Sequence, residues 1–470
     1  MKFRIQLITQ CETGEEISEL ACLERETEEI QNIGIALVEA KALLATLQKQ
    51  VVERQIAAYL AGRKKCPQCG KAFRHKDQHP LVFRTLFGNL ELLSPRWFQC
   101  ACQPHEIRTF SPLANLFTEH CSPERLYLET KWASLVSFEL AAQMLEDVLP
   151  TDAHFQATSV RNHLQRVAER AEAGLGVEKF SYIDGCPRDW AALPRPSAPL
   201  TVGIDGGYVR QWDNKKTHFE VIVGKSIPEE GASKCFGLVQ SYDEKPKRRI
   251  FEVLKGQGMQ LNQQIVFLSD GGDTVRNLQL YLNPEAEHLL DWFHVAMRLT
   301  VLHQIAKGLP ITDGEDDEKC ELREPTLKTL ESIKWYLWHG NTYEAIELLE
   351  TLEMDLDGAA EERGDSTAHK LSRAVEEFQT YITNNQAFIP NYGERYRQGD
   401  RISTGFVEST VNYVVAKRFT KRQQMQWSPK GAHLLLQTRT RVLNGELEQT
   451  FRDWHPGFRG EGDEKLKIAA

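Results

Sequence analysis

The sequence predicts a multidomain α+β protein, and three observations carry that expectation. Its 470 residues exceed what one ordinary core takes up. Two closely spaced cysteine knuckles, Cys66-Pro-Gln-Cys69 and Cys100-Ala-Cys102, mark a small module that a metal would hold. Beyond residue 200 the texture turns from helical periodicity to short apolar runs bounded by turn residues. Apolar residues make up 41% and charged residues 26%, an ordinary globular balance that leaves no long tract needing disorder.

No apolar run approaches the roughly 18–20 residues that cross a bilayer. The stretch MKFRIQLITQCETGEEISEL lacks the apolar core and cleavage site of a signal peptide, so a cytoplasmic location is expected. In a reducing compartment the ten cysteines are expected as free thiols or metal ligands rather than disulfides. A net charge of −9 excludes a grip on nucleic acid by the whole surface and leaves local patches. One such patch runs from Ser409 to Asn444, which holds no Asp or Glu but carries Lys417, Arg418, Lys421, Arg422, Lys430, Arg439 and Arg441.

Taken in order, residues 1–62 read as an N-terminal helical region. Leu37, Leu44, Leu47 and Val51 fall at helical spacing between Ile33 and Leu60, on a helix that either covers its own domain or pairs between subunits. Residues 63–118 read as a zinc ribbon. Apolar stretches flanking Gly88-Asn89 form a hairpin between the two knuckles, and Cys66, Cys69, Cys100 and Cys102 are the candidate zinc ligands. Four unliganded cysteines is the alternative, and His75, His79 and His105 are spare donors nearby.

Residues 119–180 read as a helical, helix-turn-helix-like DNA-binding region. Ser122-Pro123 starts a first helix, Ser137 to Leu149 forms another, and Thr158-Ser159 caps a third. That third helix would show Arg161, Asn162, Gln165 and Arg166, residues suited to base edges in a major groove or to the solvated face of a plain bundle. Residues 181–199, with four prolines, read as a linker.

Strands are then expected at Leu200 to Arg210, His218 to Gly224, Cys235 to Tyr242, Ile265 to Ser269 and His288 to Trp292, with a helix from about Lys247 to Lys255. Three strands, a helix, a strand and a further strand is the element order of a ribonuclease H-like core, here residues 200–299. Leu322 to Gln386 reads as helical, with acidic loops near Gly314 and Glu361. Residues 401–450 complete the core, and 451–470 form a tail.

Asp205 lies in the first core strand before Gly206-Gly207, and Asp270 closes the fourth before Gly271-Gly272. Singly, an Asp before Gly is turn chemistry. On neighbouring strands the two carboxylates could hold a pair of Mg²⁺ or Mn²⁺ ions about 3.5–4 Å apart, with Glu408 as the third acid. The segments GIDGGYV, FLSDGGDT and DWFHVAMR, and above all GFVESTVNYVVAKRFTKRQQMQWSPKGAHLLLQTRTRVLNG, resemble the insertion-sequence DDE transposases. The likeness is to the ISKra-type group, with the ISL-type group as nearest cousin.

That resemblance covers most of the chain and implies Asp205, Asp270 and Glu408 as catalytic and Mg-binding residues, with residues 300–400 as an all-helical insertion between the second and third acids. Asp273, in the same loop as Asp270, is the local competitor. Asp291 and His294 look like an accessory D-x-x-H signature, against a strand-end Asp and a satisfied His. Lys417, Arg418, Lys421, Arg422 and Trp427 would contact the transposon end, Arg on phosphate and Trp on an exposed base, or Trp427 would cap the core.

The implied function is binding of terminal inverted repeats, metal-assisted strand cleavage and joining of the 3′-hydroxyl to target DNA. The implied protein is a nucleoid-associated homodimer or higher assembly on DNA, with no membrane partner. Two alternatives stay open: a non-catalytic zinc-ribbon DNA-binding regulator, and a nuclease of the same fold without strand transfer.

Overall fold

The computed structural model describes residues 1–11, 14–25, 30, 33–102, 108–150, 155–194, 196, 199–214, 216–272, 279, 281–310, 322–419 and 426–459. It is an α+β protein whose chain divides into two compact units, Met1–Ala171 with Gly445–Ala470, and Glu172–Asn444. Among the described residues no helix is long and apolar enough to cross a membrane.

The first unit opens on an antiparallel hairpin, β1 (Lys2–Cys11) against β2 (Gly14–Glu24). This corrects the expectation of a purely helical region over residues 1–62. Alternation such as Phe3-Ile5-Leu7 on β1 carries a period of two, but many of these side chains stay exposed, so burial gave the pattern little contrast. The expected helix follows as α1 (Leu37–Ala61), and its Val52 and Ile56 pack on Leu81, Leu90 and Leu92 of a second hairpin. That hairpin is β3 (His75–Thr85) and β4 (Gly88–Phe98), with short β5 (Thr109–Phe110) on its edge. Gly88, at φ 127°, opens β4 in a conformation that side chains rarely adopt.

Three helices follow, α2 (Pro123–Leu135), α3 (Phe138–Val148) and α4 (Ala157–Gly174). Ser122 and Ser137 cap the first two by accepting from the amides of Arg125 and Leu140. Fully buried Glu129 of α2 accepts from Arg125 Nε at 2.7 Å and is also bonded to His163 of α4, so these helices share a satisfied polar core. The C-terminal segment returns to this unit. Its last helix, Leu447–Trp454, sets Phe451 against Tyr127 with ring centroids 5.5 Å apart, so residues 451–459 are packed structure rather than a tail.

The second unit is built on a five-stranded sheet of order β10-β9-β6-β7-β8. The strands are β6 (Leu200–Arg210), β7 (His218–Ile227), β8 (Lys234–Val239), β9 (Ile265–Ser269) and β10 (Ala286–Leu290). β6, β7 and β8 run antiparallel to one another, whereas β9 is parallel to β6 and β10 parallel to β9. One face buries Val202, Ile204, Phe236 and Phe267 against Ile250 and Leu254 of a helix at Pro246–Lys255. Tyr182 joins that core, and residues 187–191 are helical, so the stretch expected as a linker is partly integrated into the unit.

Beyond β10 the chain is helical: Trp292–Ala306, Arg323–Trp338, Thr342–Arg363 and Ser366–Asn385. These four share one apolar core that includes Leu299, Ile333, Leu349 and Phe378. Near Glu361 the expected acidic loop shrinks to a turn, with Gly364 left-handed and Asp365 capping the next helix through the Thr367 amide. The acidic stretch near Gly314 lies outside the described residues. A short helix, Gly405–Val411, then packs on the sheet face opposite Ile250, continues through a π segment to Phe419, and is followed by a helix at Pro429–Leu443.

Candidate functional site

Strand register brings the first two acids level. β6 and β9 pair Gly203 with Leu268, so Asp205, two residues further along β6, lies level with Asp270, which directly follows the last residue of β9. The helix Gly405–Val411 lies on the sheet because glycine lets it approach. A Cβ on Gly203 would stand 2.1 Å from Val407 and 2.7 Å from Phe406, and one on Gly207 would meet Val411 at 3.5 Å. Asp205 sits between these two glycines, and exposed Glu408 follows Val407 on the helix above.

The electrostatics are those of crowded acids. Burial raises the Asp205 carboxyl above its usual range; the Gly206 amide and the His294 charge oppose this, and Asp270 and Asp291 add to it. Glu220, on β7, was not anticipated from the sequence. It lies 3.0 Å from where a Cβ on Gly206 would stand, and burial followed by the Asp270 charge pushes its carboxyl up. Asp270 is itself held locally: its side chain accepts from the Gly272 amide at 3.1 Å, and its carbonyl accepts from Tyr381 Oη at 3.1 Å. Asp273 lies outside the described residues.

Asp291 and His294 are bonded to each other. Asp291 is fully buried, caps the helix Trp292–Ala306 through the Phe293 amide at 2.9 Å, and bonds His294 Nδ1 at 2.7 Å. The Asp291 bond raises the His294 pKa, burial opposes it, and the charges of Asp291, Asp270 and Asp205 reinforce the rise. A cationic ring is thereby favoured beside the acids.

Among the described residues, groups of three or more metal-capable side chains converge within 4.8 Å at two places, and the Asp205, Asp270 and Glu408 set is neither. A single-ion cage is therefore absent from these three residues. Two ions about 3.5–4 Å apart need a wider spread of ligands than one ion does. Hard oxygen donors in an electrostatically crowded cleft fit such cations.

The first convergent group is Cys66, Cys69, Cys100 and Cys102. Sulfur separations are 3.6 Å for Cys66 and Cys102, 3.3 Å for Cys69 and Cys100, and 3.3 Å for Cys100 and Cys102. A tetrahedral zinc with bonds of about 2.3 Å needs sulfurs about 3.8 Å apart, so these four could hold one structural ion. The amides of Cys69 and Gln68 lower the Cys66 thiol to about 7, and its neighbouring sulfurs push Cys102 up to about 12. His79 instead lies 3.3 Å from Asp77, and His105 is outside the described residues.

The second group is Glu172, Asp243 and His433, where a cation is already built in. Buried Arg249 donates to both oxygens of Glu172 at 2.8 Å and to Asp243 at 2.8 and 3.0 Å. The guanidinium satisfies these acids where an ion would otherwise sit.

The expected DNA contacts divide. Arg161, Asn162 and Arg166 are exposed on α4 and Gln165 is half-buried. Lys417 is exposed, whereas Lys421 and Arg422 lie outside the described residues. Arg418 is corrected as a surface contact, and of the two roles open to Trp427 the core one holds: at 2% and 7% exposure they are core residues, Trp427 packing on Phe419 with centroids 5.0 Å apart. Burial, with Arg439 close by, lowers Arg418 to about 9. Arg439 is also interior, donating to the Val414 carbonyl at 2.8 Å and the Tyr413 carbonyl at 2.6 Å. The carbonyls of a π segment leave acceptors that an inward arginine satisfies, so the basic stretch presents less charge to solvent than its sequence suggests. Comparison with protein-family models and with curated proteins found no match.

Proposed function

We propose that this chain is a DDE-type transposase that binds terminal inverted repeats, cleaves DNA strands and joins their 3′-hydroxyl ends to target DNA. The observation that carries the reading is the level placement of Asp205, on β6, and Asp270, at the end of neighbouring β9, on a sheet that the helix bearing Glu408 covers. The sheet order, with three antiparallel strands followed by two parallel ones, supports a ribonuclease H-like core interrupted by a helical insertion.

Asp205, Asp270 and Glu408 would hold two Mg²⁺ or Mn²⁺ ions, which when bound activate the attacking oxygen and stabilise the leaving one. The protein's own part is to hold these oxygens, with Gly206 and Gly272 amides orienting the two aspartates. His294, oriented by Asp291, stands beside them as a donor towards a phosphate oxygen. Exposed Arg161, Asn162 and Arg166 on α4 supply a surface for repeat binding, and the thiolate module would be held by zinc. Paired ends call for a homodimer or higher assembly, working at the nucleoid.

The test is purified protein incubated with labelled linear DNA ending in its element's flanking inverted repeats, with Mg²⁺ or Mn²⁺ against EDTA. Metal-dependent nicking at the repeat boundary and strand-transfer products, both lost in Asp270→Asn, support the transposase. Binding without cutting would instead establish a regulator, and cutting without joining a nuclease.

A further inference from the structure

The proposed site requires the third acid to be held at a fixed place near the first two, and the helix that carries it is only seven residues long. Such a helix has little stability of its own. Besides its packing on Gly203 and Gly207, it is anchored by the preceding segment, Ile402 to Thr404, which is bonded to the start of the helix after β10. The Trp292 amide donates to the Ile402 carbonyl at 3.1 Å, and the Thr404 amide donates to Asp291 Oδ1 at 3.0 Å. The Thr404 hydroxyl donates to Asp291 Oδ2. Thr404 and Asp291 are both buried, at 2% and 0% exposure.

The path continues at both ends. The Asp291 amide donates to the Ser269 carbonyl at 2.9 Å, immediately before Asp270. The Glu408 amide donates to the Thr404 carbonyl at 3.1 Å. Hydrogen bonds therefore link the residue before the second acid, through Asp291 and Thr404, to the backbone of the third. A fully buried carboxylate is retained only where its lone pairs are satisfied, and the Thr404 hydroxyl supplies one of the required donors.

We propose that Thr404, through buried Asp291, is a positioning residue that sets where Glu408 stands over Asp205 and Asp270. The inference rests on the metal-site reading above. Thr404 touches no reacting atom, and its hydroxyl acts by fixing a ligand, as outer partners of metal sites do.

The experiment compares full-length wild type with Thr404→Val, Thr404→Ser and Asp205→Asn. Three readouts are taken: backbone amide exchange without metal, Mn²⁺ binding by electron paramagnetic resonance, and the Mn²⁺ concentration giving half-maximal DNA nicking. Thr404→Val is expected to speed exchange over residues 405–411 while leaving β6 and β9 unchanged, and to weaken Mn²⁺ binding by a factor of about ten or more. Nicking should need correspondingly more Mn²⁺ yet approach the wild-type rate at saturation, and Thr404→Ser should restore all three. Wild-type exchange and Mn²⁺ affinity in Thr404→Val overturn the proposal, as does a Ser variant no better than Val. If Thr404→Val fails to fold, Thr404→Ala is read against Thr404→Ser by the same criteria. Wild type whose Mn²⁺ binding is unaffected by Asp205→Asn overturns the metal-site reading itself, an outcome distinguishable from failure of the brace alone.

Discussion

The cysteine cluster of the first unit and the carboxylate face of the second are both candidate ion sites, assembled over different ranges of sequence. Cys66 and Cys102 lie at the base of one hairpin, so two knuckles and a turn suffice to bring four sulfurs within 4.8 Å. Asp205, Asp270 and Glu408 need a sheet, a helical block and a short helix seated on glycines, and they remain less tightly gathered. A locally specified site can depend on its ion for order, whereas a site spread over a large core is framed by that core. Metal removal should therefore act on folding in one region and on chemistry in the other.

The largest effect follows from that contrast. Cys66→Ser with Cys69→Ser, or treatment with a strong zinc chelator, is expected to disorder the base of the β3–β4 hairpin. Amide exchange should rise sharply over residues 64–74 and 96–102 with little change in β6, β7 and β9. Equal loss in both units would break the comparison. Next in size, Asp270→Asn should lower metal-dependent DNA cleavage by roughly a thousandfold or more, because the proposed two-ion site would lose one oxygen ligand. Its thermal unfolding should stay close to wild type, since the side chain's local bond to the Gly272 amide can be made by either oxygen-bearing group.

A third change joins packing to chemistry. Gly203→Val forces a side chain into space held by Val407 and Phe406, and overpacking of this kind costs about 1–3 kcal/mol. Glu408 would be displaced with its helix, so stability and cleavage should fall together. Wild-type unfolding in Gly203→Val would show that the helix does not rest on β6 at this glycine.

Much of this architecture was legible in the sequence where local chemistry and periodicity agree. The bounds of β6 and β9, Leu200–Arg210 and Ile265–Ser269, coincide with apolar runs closed by turn residues. Ser122 and Ser137 cap helices as their positions before the first turn suggest. The knuckle spacing likewise pointed to four converging sulfurs. Long-range packing was not legible. A charged Arg418 or Arg439 reads as surface in a linear pattern, yet both are buried, Arg439 while donating to carbonyls of the π segment. Thr404 carries no motif, and the role proposed for it is visible only when Asp291, 113 positions earlier, is folded against it. Gly203 had a signal, a glycine inside a strand, which marks close approach of another element.

The Arg249 cluster provides a pH test confined to the second unit. Burial raises Glu172, but hydrogen bonds from His433 and Arg249, and their charges, pull it well below its ordinary value of 4.5. A carboxyl depressed on folding contributes stability that is present above the unfolded value and lost as pH falls through the folded one. The second unit should therefore weaken progressively below about pH 4.5, and Glu172→Gln should flatten that part of the profile. An unchanged acid limb in Glu172→Gln would assign acid sensitivity to other carboxylates.

The smallest expected effect concerns α4, where Arg161 and Arg166 stand exposed while Val160, Leu164 and Val167 are buried. A helix with that division is stable through its apolar face, so Arg161→Ala and Arg166→Ala should leave unfolding unchanged. If these side chains meet phosphates, each loss removes released counterions and lowers the slope of log affinity against log salt by about 0.9. A contact to a base edge would behave differently, costing about 1–3 kcal/mol on the cognate repeat and less on unrelated DNA. Binding isotherms at several salt concentrations, on repeat and scrambled DNA, separate the two. Identical slopes and affinities for both variants and wild type would make this face a solvated surface, and repeat recognition would then have to come from elsewhere in the chain.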